Sequence, residues 1–173
     1  EKEIKVWRFA GEQSGPRLLV LGAIHGNEKC GTEAIARLIT EIESGITRIS
    51  AGSLVCAPIC NPEAYAAHAR FVDENLNRII HHHSTPLVTE HHRANQVATL
   101  IDECDVLLDL HSYSAGVKPF LFLDCEDAPH RAYAQALDIP YWVTGWNDAY
   151  ADAGDLNGGD TVSYAQKQGK LAI

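Results

Sequence analysis

"RLLVLGAIHGNE" (Arg17–Glu28) is apolar almost without break from Leu18 to Ile24, then stops on a histidine, a glycine and an acid. Such a run suits a strand covered on both faces, as strands of a parallel sheet are. Histidine and glutamate are costly beside a core unless something engages them. The next stretch, "EKCGTEAIARLITEIESG" (Glu28–Gly45), repeats Ala34, Ile35, Leu38, Ile39 and Ile42 at helical spacing, and Gly45 stops it. A buried strand, a tight loop and an amphipathic helix make the first unit of an α/β fold.

The pattern recurs outward from that unit. "IKVWRF" (Ile4–Phe9) has strand composition, and "GEQSGP" (Gly11–Pro16) reads as a turn. "GSLVCAPICNP" (Gly52–Pro62) is a second short buried strand closed by Asn61 and Pro62. "EHHRANQVATLID" (Glu90–Asp102) reads as a helix, and "CDVLLDLHS" (Cys104–Ser112) as a third apolar strand ending in acid and histidine. "KPFLFLD", "IPYWVTG" and "KLAI" supply further strand candidates. "APHRAYAQALD", capped by Asp127, and "TVSYAQKQG" read as helices. Alternating strands and helices predict an α/β fold: a mostly parallel or mixed twisted sheet with helices on both faces. The Gly/Asp/Asn-rich loop from Gly145 to Asp160 reads equally as a lid or rim and as plain surface.

The chain has 173 residues, 46% of them hydrophobic, with a formal net charge of −9. That suits one core, residues 1–173 forming one domain. An acidic surface argues against a nucleic-acid backbone as partner. No stretch has the length and apolarity of a membrane span. Five cysteines without a close CxxC pair read as free thiols in a reducing, cytoplasmic setting. Self-association is left open.

Ligands of a parallel sheet gather beyond the carboxyl ends of its strands. His25 and Glu28 follow one such strand and His111 ends another. Two imidazoles and one carboxylate, with one position left for water, is the zinc donor set of many hydrolases. In H-x-x-E, Gly26 is expected to turn the backbone so that His25 and Glu28 reach one ion. Asp109 shares His111's side of its strand and is expected to fix that ring's tautomer, with a ligand or helix-cap role left open. "AHARFVDENLNRII" (Ala67–Ile80) adds Arg70, Asn75, Asn77 and Arg78. One arginine could hold a substrate carboxylate and the other steady an oxyanion, or both could pair on the surface with Asp73 and Glu74. Adjacent histidines at His81–His83 and His91–His92 do not face one way on a helix and do not read as a second metal site.

"HGNE", "RFVDENLNR" and "DLHS" in this order resemble the zinc carboxypeptidase superfamily, and more closely its succinylglutamate desuccinylase and aspartoacylase branch. The resemblance implies a zinc-hydrolase catalytic domain binding one Zn²⁺ through His25, Glu28 and His111. It gives Arg70 the carbonyl or carboxylate, and Asn77 with Arg78 the substrate carboxylate. The usual "DLNR" has Asn75 in place of its aspartate here. The implied reaction is hydrolysis of the amide of an N-acyl amino acid or similar small anionic amide. A metallocarboxypeptidase acting on peptide or cell-wall fragments, and a non-catalytic zinc- or ligand-binding domain, are the alternatives. The family's general base is a glutamate after a late apolar strand. It is expected beyond Ile173, together with a small β-rich C-terminal domain, so the chain is expected to be truncated at its C-terminus.

Overall fold

The computed structural model describes residues 3–113, 116–146, 149 and 159–173, and puts the opening apolar run at the centre of the sheet. In chain order, β1 is Trp7–Ala10, β2 Gln13–Gly22, α1 Cys30–Glu43, β3 Ala51–Ala57 and α2 Pro62–Ala66. A short 3₁₀ turn, Leu76–Arg78, leads to α3 (Thr89–Glu103) and β4 (Val106–Leu110). Then come β5 (Leu121–Phe122), α4 (Ala128–Ala136), β6 (Trp142–Val143), α5 (Thr161–Lys167) and β7 (Leu171–Ala172). The sheet order is β1-β3-β2-β4-β7, parallel throughout except for β1, which runs antiparallel to β3 at the edge.

Period-two alternation along β2 splits the core in two. Leu19 and Leu21 face α3 and α5, packing with Val97, Ile101, Leu107 and Ala165. Val20 faces the other way, packing with Ile35 and Ile39 of α1 and with Leu54 and Cys56 of β3. Helices therefore cover both faces, as expected. Burying a leucine as completely as Leu21 contributes about 1.5–3 kcal/mol. α4 packs separately, with Leu121, Leu123, Ala134 and Ile173 forming a third cluster. No helix among the described residues is long and apolar enough to cross a membrane.

Local expectations are corrected in several places. "GEQSGP" is mostly strand: β2 already pairs with β3 at Gln13↔Ala51, and the register shifts before Arg17↔Ser53. That irregularity accommodates Pro16, which has no N–H to give to a ladder. Ala34 lies on the exposed face of α1, while Gly31 and Thr32 are buried instead. The "KPFLFLD" and "IPYWVTG" runs do not extend the main sheet. They shorten to β5 and β6, a separate two-stranded parallel pair. Most of the Gly145–Asp160 loop lies outside the described residues, so its reading as a lid or rim is not addressed. Asn61 both closes the β3 run and caps α2, its side chain accepting from Ala64 N–H.

Candidate metal centre

β2 and β4 are adjacent and parallel, with Gly22 opposite Leu110, so their carboxyl ends finish side by side. His25 lies three residues beyond the first and His111 directly beyond the second. The chain turns out of β2 at Ala23, whose φ of +46° is unusual for a residue with a Cβ. Gly26, expected to make that turn, has no positive φ and serves a different need. A Cβ there would lie 2.2 Å from the Ala64 carbonyl carbon and 2.3 Å from Tyr65 N. Only glycine lets α2 approach the His25 segment this closely.

His25, Glu28 and His111 each present a donor atom, all within 4.8 Å of one another. His25 is 2% exposed and Glu28 9%. Asn75 Oδ1 accepts from the Asn77 N–H at 3.1 Å, which fixes it as the oxygen of its amide. Its 3.0 Å contact with His25 Nε2 must therefore be an N–H donated by the ring. That turns His25 Nδ1 inward, buried and without a hydrogen bond, 2.9 Å from Glu28 Oε1. A lone pair there would face the carboxylate oxygen directly, so this contact calls for a positive charge between the two atoms, a ring proton or a metal ion.

His111 repeats the arrangement. Its Nε2 is 3.0 Å from Asp109 Oδ2, which also accepts the Thr161 hydroxyl at 2.5 Å. A carboxylate only accepts, so Nε2 carries a proton and Nδ1 faces Glu28 Oε2 at 3.0 Å. Without a metal, a second ring proton must supply the positive charge. Burial pushes this imidazole down, but Asp109 and Glu28 outweigh it and raise it to about 10. Burial likewise pushes Glu28 up. The His111 and His25 rings reverse that and hold its carboxyl well below the usual carboxylate range. The cluster demands positive charge at its centre, and its donor set of two imidazoles and one carboxylate fits a divalent metal.

The remaining sequence candidates fall around this cluster. Arg70 donates to Glu28 Oε1 at 2.9 Å, with its side chain 46% exposed at the rim. Asp109 stands behind His111, as described. Asn77 turns its amide oxygen to Thr161 N–H at 3.1 Å, and Arg78 donates to the Asn77 carbonyl at 2.8 Å. Neither arginine ion-pairs with Asp73 or Glu74 among the described residues. The His81 and His83 rings lie tilted with centroids 3.8 Å apart, and His83 and His91 stack at 4.1 Å, without forming a three-donor group. A second three-donor grouping, Cys125, Asp127 and His130, has its ring engaged at both nitrogens. Nδ1 meets Asp127 Oδ1 at 2.7 Å, and Nε2 accepts from Ala172 N–H at 3.4 Å.

Sequence reasoning missed Thr161, Ser112 and Glu90. Ser112 N–H donates to Glu28 Oε2 at 2.8 Å, and Thr161 braces Asp109 from 52 residues away. The one local signal was Asp160, an N-cap bonded to Ser163 N–H, which places Thr161 in the first turn of α5.

A mostly parallel α/β sheet with two imidazoles and a carboxylate gathered at its carboxyl edge defines a metal-site domain of the zinc-carboxypeptidase kind. Residues 14–172 match the succinylglutamate desuccinylase/aspartoacylase catalytic domain, and the chain belongs to that family. The succinylglutamate desuccinylase of Vibrio vulnificus (strain YJ016) is 31% identical over 128 residues, 69% of this chain and 37% of that protein. Its counterpart in Pseudomonas paraeruginosa is 26% identical over 157 residues, 90% of this chain and 44% of that protein. The solved structure of an aspartoacylase family protein from Mesorhizobium loti shares the fold with a TM-score of 0.78 at 23% identity. That match covers 97% of this chain and 53% of the other. The chain thus spans less than half the length of these curated relatives.

Proposed function

We propose that this chain carries the metal and substrate-binding machinery of a zinc-dependent amidohydrolase acting on an N-acyl amino acid or similar small anionic amide. The observation that carries the reading is the buried, unbonded His25 Nδ1 facing Glu28 within reach of His111. Family membership supports zinc as the ion. Bound zinc would supply a water of lowered pKa and Lewis acidity toward a carbonyl.

The chain's own residues set up the rest. Asn75 and Asp109 hold the His25 and His111 rings with their Nδ1 lone pairs turned inward. Arg70 stands at the rim beside Glu28, placed to steady an oxyanion or a substrate carboxylate. Arg78 and Asn77 are proposed to set the register of an anionic substrate. The global charge of −9 gives such a substrate no long-range attraction, so these local cations must provide it. A glutamate is proposed as the proton acceptor. Three buried free thiols, Cys56, Cys60 and Cys104, support a cytoplasmic setting.

The test is calorimetric binding to zinc-loaded protein, which does not depend on the base. N-succinyl-L-glutamate should bind, and the free amino acid should bind more weakly. Arg70→Ala should lose about tenfold in affinity, the order of one charge-assisted hydrogen bond. A zinc-replete protein that binds neither N-acyl amino acids nor their products would overturn the reading.

A further inference from the structure

We infer that Glu90 is a positioning residue that clamps the loop carrying Arg70 and Asn75, and through Asn75 sets the His25 ring. Glu90 lies in the first turn of α3 and is fully buried. Its Oε1 accepts from Val72 N–H at 2.7 Å and from Asn61 Nδ2 at 3.1 Å. Its Oε2 accepts from Asp73 N–H at 3.1 Å and from Glu74 N–H at 3.4 Å. All four donors are neutral, and no cation pairs with Glu90 among the described residues.

A buried carboxylate without a countercharge is retained only where such donors fully engage it. The helix N-terminus adds a favourable dipole. The donors come from a stretch with no ladder of its own: residues 71–75 belong to no helix or strand. One carboxylate therefore holds three successive backbone amides directly before Asn75. The other end of the loop is tied by Gly26 N–H donating to the Arg70 carbonyl at 3.2 Å. Asn61 couples the clamp to the strand ends, because its own N–H donates to the Ala23 carbonyl at 3.0 Å. Arg70 carries the tie to Gly26, and Asn75 directly follows the amides held by Glu90. Arg93, buried one turn further along α3, pairs instead with the partly exposed Glu63 of α2 and does not share the Glu90 carboxylate.

The inference rests on the metal-site reading, and wild-type zinc binding tests that reading separately. The variants are Glu90→Gln, which places an NH₂ against N–H donors, Glu90→Asp, which keeps the charge but falls short, and Asn75→Ala. Zinc affinity is measured by competition with a chromophoric chelator, and loop order by amide hydrogen exchange at Val72, Asp73 and Glu74. Glu90→Gln should weaken zinc about tenfold or more, the range found for groups that orient metal ligands, and should speed exchange at those amides. Combined with Asn75→Ala it should weaken zinc no further than Asn75→Ala alone, since both act through His25. If Glu90→Gln does not fold, Glu90→Asp should show the same pattern. Faster exchange with unchanged zinc affinity would overturn the inference, as would penalties that multiply in the double variant.

Discussion

Removing His111 should abolish the stabilisation that zinc confers, and the size of that effect follows from linkage. A ligand that binds only the native state, at a thousandfold its dissociation constant, stabilises by about 4.1 kcal/mol. For a domain of this size each kcal/mol is worth about 2–4 °C in Tm, so zinc should raise Tm by about 8–16 °C. The His111→Ala variant keeps His25 and Glu28 but loses one of three donors. It also strips Asp109, with a side chain 2% exposed, of its imidazole partner and leaves Thr161. Breaking a buried pair in this way costs about 3–5 kcal/mol, so the metal-free variant should melt well below the metal-free wild type. The diagnostic quantity is therefore the zinc-induced shift within each protein, measured by calorimetry with chelator and then with zinc. A shift of a few degrees or less is expected for His111→Ala. A wild-type shift in that variant would remove His111 from the metal site and refute the argument from its Nδ1.

Thr161→Val removes the hydroxyl on Asp109 without changing side-chain shape. It should cost about 1.5–3 kcal/mol in urea unfolding, the worth of one hydrogen bond to a charged group, with His111 still bonded to the same oxygen and Thr161→Ser recovering most of the loss. Gly26→Ala would drive a Cβ into the α2 backbone and should destabilise by about 1–3 kcal/mol as an overpacked site, while Gly116→Ala, with open space around it, should not clash. The Arg17 guanidinium hydrogen-bonded to Asp105 lowers that carboxyl from 3.8 to about 2. A depressed carboxylate stabilises above its unfolded pKa, and that gain is lost as pH falls through the folded one. The Tm gap between wild type and Asp105→Asn should therefore be present at pH 7 and close as pH falls from about 4 to 2. It should be small, since both side chains are half exposed.

The architecture was legible wherever local periodicity sets structure. Leu18–Gly22 reads as a covered strand, and Ile35 and Ile39 read as facing a core, because burial along strand and helix follows fixed repeats of two and 3.6. His25 and Glu28 are close in the chain, so their meeting needed only one turn. His111 was placed beside them by the rule that ligands gather at the carboxyl ends of parallel strands. Those features the sequence by itself determined. The tertiary structure decided what no repeat encodes: that the turn falls at Ala23, that Gly26 is needed for close packing, and that "GEQSGP" pairs as strand. It also decided that Thr161 braces Asp109 and that Glu90 clasps the loop before Asn75. These depend on which buried polar groups must find partners across the fold. A carboxylate cut off from water takes whatever donors the packing brings near, however far apart they lie in the chain.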